Sequence, residues 1–243
     1  MSTRAKVLIG SAVVLVVLVG GGLWWLLRDD APEAVSLDAA VDQVDGDGTT
    51  ATTAAPASGI EGTWTVDTES GDFDFETASG TFAGFRVDEE LSSIGANTAV
   101  GRTGEVSGSF TIDGDAVTEG EFEVDLSTLT TNQSLRDGRV QDGLETATFP
   151  TATFSLTEPI DLGDGAADGQ PVSVTAVGDL RIHGVTESVE IPLEAQLVDG
   201  TVAVVGSLDF TLADFDVEAP TGPAVVSVSE DATLEFQLLL TAT

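Results

Sequence analysis

Apolar and polar residues alternate repeatedly between Ile60 and Thr243, and this period of two predicts antiparallel β-strands. In one segment Phe122, Val124 and Leu126 alternate with acidic residues. The same pattern returns in the segments 106–113, 174–182, 189–198, 202–212 and 234–240. Alternation places one face of each strand in the core and the other in water. With the shorter runs near 62–68, 72–77, 82–87 and 151–158, we predict an all-β domain of about eight or more strands.

Short turns containing glycine separate these runs. Asp-Gly-Asp at 113–115, His-Gly at 183–184 and Asp-Gly at 199–200 each lie between two alternating segments, as the turns of β-hairpins do. The segment 131–144 breaks the pattern, because its apolar residues are spaced as in a helix. We therefore expect antiparallel hairpins and one short helical segment.

Both a closed barrel and a two-sheet sandwich are compatible with this pattern. Glycines stand within the inward rows at Gly84, Gly108, Gly178 and Gly206. Glycine lets a strand bend sharply and leaves space inside a sheet, so these positions favour the barrel.

An uncharged apolar run extends from Val7 to Leu27 near the start of the chain. A helix of this length measures roughly 31 Å, enough to cross the hydrocarbon core of a bilayer. Arg4 and Lys6 precede the run, which predicts a cytoplasmic N-terminus and an extracytoplasmic remainder. A cleaved signal peptide is the alternative, but its apolar core is shorter. We therefore expect residues 1–28 to form a retained single-pass anchor in the cell membrane.

The segment 29–59 is rich in Ala, Thr, Asp, Gly and Pro and contains few large apolar residues. Such a stretch buries too little surface to offset the entropy lost on ordering. We predict that it is a disordered acidic linker and that residues 60–243 form the folded domain.

Composition excludes several classes of function. The chain carries 42 acidic against 8 basic residues, a formal charge of −34, so nucleic acid is not an expected partner. It has no cysteine, which removes disulfides, thiol catalysis and thiolate metal sites. No nucleophile elbow or phosphate-binding glycine loop is present in the sequence. We therefore predict no catalytic residues, no metal and no cofactor; nothing in the sequence predicts an oligomeric state.

Several motifs, in this order along the chain, resemble those of the YceI-like domain family, also described as lipid- or polyisoprenoid-binding. They are W-T-V-D at 64–67, R-D at 136–137 followed by Leu144, F-P-T-A-T-F at 149–154, and G-D-L-R-I-H-G-V-T at 178–186. The segment 100–110 is similar to the actinobacterial branch. The chain departs from the family pattern in having Thr-Glu-Ser at 68–70 where an early histidine is usual, and in having no tyrosine.

The resemblance implies an extended lipocalin-like β-barrel whose apolar lumen holds an isoprenoid chain, as in quinone-type lipids. The candidate lumen residues are Trp64, Phe73, Phe75, Phe110, Phe122, Phe154, Leu180, Ile191, Leu208, Phe210 and Phe236. Burial of a lipid chain needs no catalytic motif, because apolar area alone contributes roughly 25 cal/mol per Å². The alternative for each residue is an ordinary core position, and for the protein a surface interaction module whose barrel is filled.

Cations are scarce beyond the membrane run, which makes Arg136, Arg139 and Arg86 candidates for the polar rim of the lumen. An arginine there suits the carbonyl of a quinone or the phosphate of a lipid. The alternative for Arg136, next to Asp137, is a structural tie between the helical segment and the barrel.

Overall fold

The computed structural model describes residues 31–46, 59–67, 73–92, 95–222 and 225–243. These residues contain two α-helices, α1 (Leu37–Gly46) and α2 (Ser134–Gly143). The strands are β1 (Gly62–Val66), β2 (Phe82–Leu91), β3 (Gly95–Thr103), β4 (Val106–Asp113), β5 (Ala116–Asp125), β6 (Thr130–Thr131), β7 (Thr151–Leu156), β8 (Ile160–Asp161), β9 (Val172–Ile182), β10 (Val185–Val198), β11 (Thr201–Thr211) and β12 (Val225–Ala242).

Eight of these strands close into an antiparallel barrel. They follow the order β1-β4-β5-β7-β9-β10-β11-β12, and β12 returns to β1 with Ala242 opposite Trp64. The closure confirms an all-β, lipocalin-like barrel and excludes the sandwich. The predicted hairpins are also confirmed: His183 and Asp199 adopt positive φ angles of 52° and 48°, each followed by a glycine with positive φ.

The barrel wall is extended at one end by three further strands. β12 is 18 residues long, and the part that lies beyond its pairing with β1 pairs with β2. β2 pairs with β3, and β3 pairs with the short β6. This extension lies beside α2. At that end of the molecule the wall is therefore formed by β2, β3, β6 and α2 in addition to the strands of the closed barrel.

Two of the strand glycines accommodate aromatic rings. A Cβ atom at Gly178 would lie 2.4 Å from Cζ of Phe154, and one at Gly206 would lie 2.5 Å from Cζ of Phe236. The rings therefore cross the neighbouring strand where no side chain blocks them. The expectation that these glycines leave open space is corrected, because Phe154 and Phe236 occupy it.

The short helix expected in 131–144 is confirmed as α2, and polar contacts hold it in place. Asp137 Oδ1 accepts hydrogen bonds from Thr131 N at 2.8 Å and Thr131 Oγ1 at 2.7 Å. Gln141 Nε2 donates to Ser127 O at 2.9 Å, and Val140 is buried. The two glycines in the helix lower its intrinsic propensity, so tertiary contacts supply most of its stability.

Helix α1 packs on the outside of the barrel, within the segment expected to be a disordered linker. Leu37 and Ala40 contact an apolar strip formed by Ala203, Val205 and Leu239. The structure thus replaces part of the expected tether by an ordered helix that covers the outer face of β11 at Ala203 and Val205. Residues 47–58 of the expected linker lie outside the described residues.

A buried charged cluster lies beside α1 on the same outer face. Arg102 Nε and Nη2 donate to Glu235 Oε1 at 2.9 and 2.6 Å, and we call this contact the outer pair. Arg102 Nη2 also donates to Glu33 O at 2.7 Å, and Arg86 Nη2 donates to Pro32 O at 2.8 Å. These hydrogen bonds fasten the chain around residues 32–33 to the barrel.

The structure also bears on the strand expected at 72–77 and on whether a described helix is able to span a membrane. The strand expected at 72–77 is not formed over the described residues 73–77, which make a turn with an isolated bridge between Asp74 and Ser79. Over the described ranges, no helix is both long and apolar enough to span a bilayer. The predicted span from Val7 to Leu27 lies outside those ranges.

Candidate functional site: two adjoining cavities in the barrel

The first cavity, cavity 1, occupies the middle of the barrel and has a volume of about 190 Å³. Its wall is almost wholly apolar. Phe110, Phe122, Phe154 and Phe236 project into it from β4, β5, β7 and β12. A space of this kind offers a guest apolar contact and very few hydrogen-bonding groups.

The second cavity, cavity 2, lies at the end of the barrel next to α2 and β2 and has a volume of about 310 Å³. Most of its wall is apolar, including Phe85, Val140 and Phe210. Unlike cavity 1, it also has charged side chains in its wall: Glu89, Arg136, Arg139 and Glu218. The cavities therefore differ in polarity.

The cavities share part of their walls. Ala83, Val124, Ala152 and Leu234 line both of them. Cavity 1 and cavity 2 thus adjoin across a boundary of small and aliphatic side chains, and an extended guest can contact both once these side chains adjust.

A buried ion pair lies in the wall of cavity 2. Arg136 on α2 contacts Glu89 on β2 through Nη2 and donates from Nη1 to Asn132 Oδ1 at 2.6 Å. Asn97 Nδ2 donates to Glu89 Oε1 at 2.8 Å. We call the contact between Arg136 and Glu89 the inner pair. This pair connects α2 to the barrel. It also places one positive and one negative charge, which neutralise each other, beside a largely apolar space.

Cavity 2 reaches the surface at an opening with exposed apolar side chains. Leu135, which lines the cavity, is 87% exposed. Val226 is 60% exposed, and its neighbours Val225 and Val228 line the same cavity. We call this opening, with Leu135 and Val226 beside it, the mouth.

The family model for the YceI-like domain matches residues 33–240 of this chain. The chain belongs to the YceI-like domain family. A UPF0312 protein of Shewanella denitrificans is 35% identical over 155 residues, which is 60% of this chain and 78% of that protein. A UPF0312 protein of Vibrio parahaemolyticus is 29% identical over 143 residues, covering 54% and 71%.

Two solved structures share the fold of this YceI-like chain. A polyisoprenoid-binding domain from Saccharophagus degradans, implicated in plant cell wall breakdown, superposes with a TM-score of 0.52 at 23% identity, covering 67% of this chain and 94% of that one. BcnA of Burkholderia cenocepacia gives a TM-score of 0.51 at 19% identity, covering 65% and 95%. At these identities the likeness shows the fold alone.

Most of the candidate lumen residues lie on the cavity walls of the YceI-like domain. Those in cavity 1 are Phe110, Phe122, Phe154, Leu180, Ile191 and Phe236. Phe210 lines cavity 2. The structure thus brings these seven together around one interior, and their contact with a ligand stays a prediction.

The other four candidates lie away from both cavities. Trp64 is fully buried in solid core, and its Nε1 donates to Ile60 O at 2.9 Å. Phe73 packs against Phe82 with ring centroids 5.8 Å apart, outside the barrel. Phe75 and Leu208 line neither cavity. The structure favours the core alternative for Trp64, and it places none of the four residues on a cavity wall.

The three rim arginines are placed differently from one another. Arg136 and Arg139 line cavity 2, and Arg139 is exposed and makes no hydrogen bond or ion pair with the described residues. Arg86 points to the outer face, where its Nη1 lies 3.5 Å from Glu235 Oε1. The expectation that Arg86 belongs to the rim is corrected, because alternation along β2 directs Phe85 and Val87 inward instead.

Sequence reasoning missed Glu89, the partner of Arg136. A signal for it exists in β2, where Phe85, Val87, Glu89 and Leu91 have the same parity and all line cavity 2. A carboxylate in an otherwise apolar inward row needs a buried partner. That partner comes from α2, more than forty residues away in sequence, and periodicity carries no information about it.

Proposed function

We infer that this protein is a membrane-tethered extracytoplasmic binding protein that holds an isoprenoid-type or other apolar lipid inside its barrel. The observation that carries the proposal is the pair of adjoining cavities with predominantly apolar walls. The S. degradans domain, described as polyisoprenoid-binding, has the same fold and supports the assignment. Removing apolar surface from water supplies the affinity, at roughly 25 cal/mol per Å².

The shape of the interior suits a long, flexible chain. Cavity 1 offers aromatic and aliphatic walls, and cavity 2 continues the space toward the mouth. A chain entering at the mouth has its tail in cavity 1 and its other end near α2. A quinone-type lipid and a prenol both meet these requirements.

Membrane attachment explains where such a lipid comes from. Only residues 28–31 separate the predicted span, which ends at Leu27, from Pro32, whose carbonyl oxygen accepts a hydrogen bond from Arg86. Five peptide units reach at most roughly 17 Å, so the barrel stays close to the bilayer surface. The exposed Leu135 and Val226 then suit contact with lipid at the mouth. Tethering of this kind raises the effective concentration of the barrel at its lipid source.

The alternative function, a surface interaction module, depends on a barrel filled by its own side chains. The two cavities favour a lipid guest over that alternative. The function proposed here is binding rather than catalysis, in line with the binding character of the family. Within the described residues, no three His, Asp or Glu side chains are grouped to hold a metal ion.

The proposal is tested by photolabelling the full-length protein in phosphatidylcholine nanodiscs with a prenol that carries a diazirine on its tail. Ala152 lines both cavities, so Ala152→Leu narrows the boundary between them, and we expect labelling of the barrel to fall about tenfold. Ser155→Leu adds a side chain of the same size on the exposed outer face of β7 and serves as the control. Equal labelling of both variants, or no labelling of the barrel in the native protein, would show that the lumen holds no prenol chain.

A further inference from the structure

The geometry points to a specific class of lipid head group: an uncharged head that carries a hydroxyl, read by the inner pair of Arg136 and Glu89. The inference rests on the proposed function, because it assumes that an isoprenoid chain occupies the barrel. It goes further in two ways. It assigns Arg136 as the hydrogen-bond donor and Glu89 as the acceptor for the lipid head group, and it predicts which of prenols, quinones and prenyl diphosphates the site prefers.

The distribution of polarity fixes which way the lipid lies. Cavity 1 has an almost wholly apolar wall, so a polar head there would lose its hydrogen bonds to water without replacement. Cavity 2 offers the inner pair and, nearer the surface, Arg139 and Glu218. The head group therefore lies in cavity 2, and the tail extends into cavity 1.

The inner pair has hydrogen-bonding capacity left over. Arg136 uses Nη1 for Asn132 and Nη2 for Glu89, while its Nε has no partner among the described residues. Glu89 Oε1 accepts from Asn97 and Arg136, and Glu89 Oε2 accepts from no described residue. Since both residues line cavity 2, the pair offers a guest there one unused N–H donor and one unused carboxylate oxygen.

A hydroxyl matches this arrangement, since it accepts one hydrogen bond and donates another. Its oxygen accepts from Arg136, and its proton is donated to Glu89. A quinone carbonyl only accepts, so it satisfies Arg136 and leaves Glu89 Oε2 without a hydrogen-bond donor. A hydroxyl-bearing head group is therefore preferred over a quinone.

Electrostatics disfavour a diphosphate. In the wall of cavity 2, Arg136 and Arg139 are balanced by Glu89 and Glu218, and the chain as a whole carries a formal charge of −34. A multiply charged anion entering this site loses hydration without gaining net positive charge. The inner pair itself is buried, with both residues less than 10% exposed, so bulk water screens it poorly.

The test is a competition experiment on the full-length protein in phosphatidylcholine nanodiscs, labelled with a prenol that carries a diazirine on its tail. The competitors are solanesol, solanesyl diphosphate and the deoxy hydrocarbon of the same chain. Two hydrogen bonds to charged groups predict that solanesol halves labelling at a mole fraction at least about tenfold lower than the hydrocarbon does. The diphosphate is expected to compete no better than the hydrocarbon.

A double substitution, Glu89→Leu with Arg136→Met, removes both charges and keeps similar volume, which avoids leaving one charge buried alone. It should abolish the preference for solanesol and leave competition by the hydrocarbon unchanged. The matched control, Glu190→Leu with Arg181→Met, makes the same chemical change on the exposed outer faces of β10 and β9 and should keep the preference.

The outcomes separate the two proposals. Equal competition by solanesol and the hydrocarbon in the native protein, strongest competition by the diphosphate, or an undiminished preference in the double variant would overturn the head-group assignment. If the inner pair only ties α2 to the barrel, the double variant weakens all competitors equally. If no competitor reduces labelling of the barrel at all, the proposed function itself fails.

Discussion

Two buried Arg–Glu pairs in the described part of the chain have the same chemistry but different surroundings. The outer pair, Arg102–Glu235, lies beneath residues 32–33, and its guanidinium also donates to Glu33 O. The inner pair, Arg136–Glu89, lies beside cavity 2. One pair is enclosed by the protein's own chain, whereas the other faces a space large enough for a guest.

This difference indicates what each pair does. Both side chains of the outer pair are almost completely buried. Because the pair connects strands β3 and β12 to the N-terminal segment, its role is structural. Not every polar atom of the outer pair has a partner, since Glu235 Oε2 is buried with no hydrogen bond to the described residues. Arg86 forms a second ion pair with the same carboxylate. Among the described residues, the inner pair has an N–H donor and a carboxylate oxygen without a partner, and both of its residues line cavity 2, where a ligand can reach them.

The largest effect is expected when the outer pair loses its only carboxylate. Glu235→Leu leaves the fully buried Arg102 and the partly buried Arg86 without a compensating charge. Breaking a buried pair in this way costs about 3–5 kcal/mol of unfolding free energy. Urea unfolding of the full-length protein in detergent measures the loss. Glu190→Leu, on the exposed outer face of β10, should change stability by less than about 0.5 kcal/mol. A loss below about 1 kcal/mol for Glu235→Leu would contradict the structural role.

A smaller loss is expected for the inner pair. Arg136→Met leaves Glu89 with Asn97 as its remaining partner and with access to cavity 2, so we expect about 2 kcal/mol of destabilisation. Adding Glu89→Leu should restore most of it, because no buried charge then remains. A double-mutant cycle in urea measures the coupling. Simple addition of the two losses would show that the residues do not act as a pair.

The smallest effect on stability is expected at the mouth, which belongs to neither pair. Leu135→Ser and Val226→Ser change exposed side chains, so unfolding free energy should move by less than about 0.5 kcal/mol. Uptake of a photoreactive prenol from added vesicles should nevertheless slow several-fold, at about 1 kcal/mol of lost apolar contact per residue. Ala213→Ser, on an exposed turn, is the control. An unchanged uptake rate would remove the mouth from the loading route.

Much of the barrel could be predicted from its sequence, because each hairpin follows from local alternation and turn residues. The alternation of Phe122 and Val124 with glutamates and the positive-φ turn at His183 belong to this class. Seven of the candidate lumen residues line the cavities, and they were predicted from their inward positions in the alternating pattern together with the family resemblance. Period two identifies a face, but it does not show whether that face encloses a space or a solid core, as Trp64 demonstrates.

Helix α1 and the inner pair could not be predicted in the same way, since both depend on contacts between distant segments. Ala203, Val205 and Leu239 give β11 and β12 apolar residues on their outer faces as well, a pattern typical of strands buried on both sides. That pattern indicates that something covers the strip. It does not identify α1, whose own sequence is only weakly apolar.

The most direct test of a lipid chain inside the barrel is to map where a tail-labelled photoreactive prenol becomes attached to the full-length protein. Tandem mass spectrometry of the labelled protein should place the adducts on cavity 1 residues such as Phe110, Phe122 and Phe154. Adducts confined to outward positions such as Ser109, Glu121 and Ser155, or to the segment from Val7 to Leu27, would contradict a lipid-holding lumen.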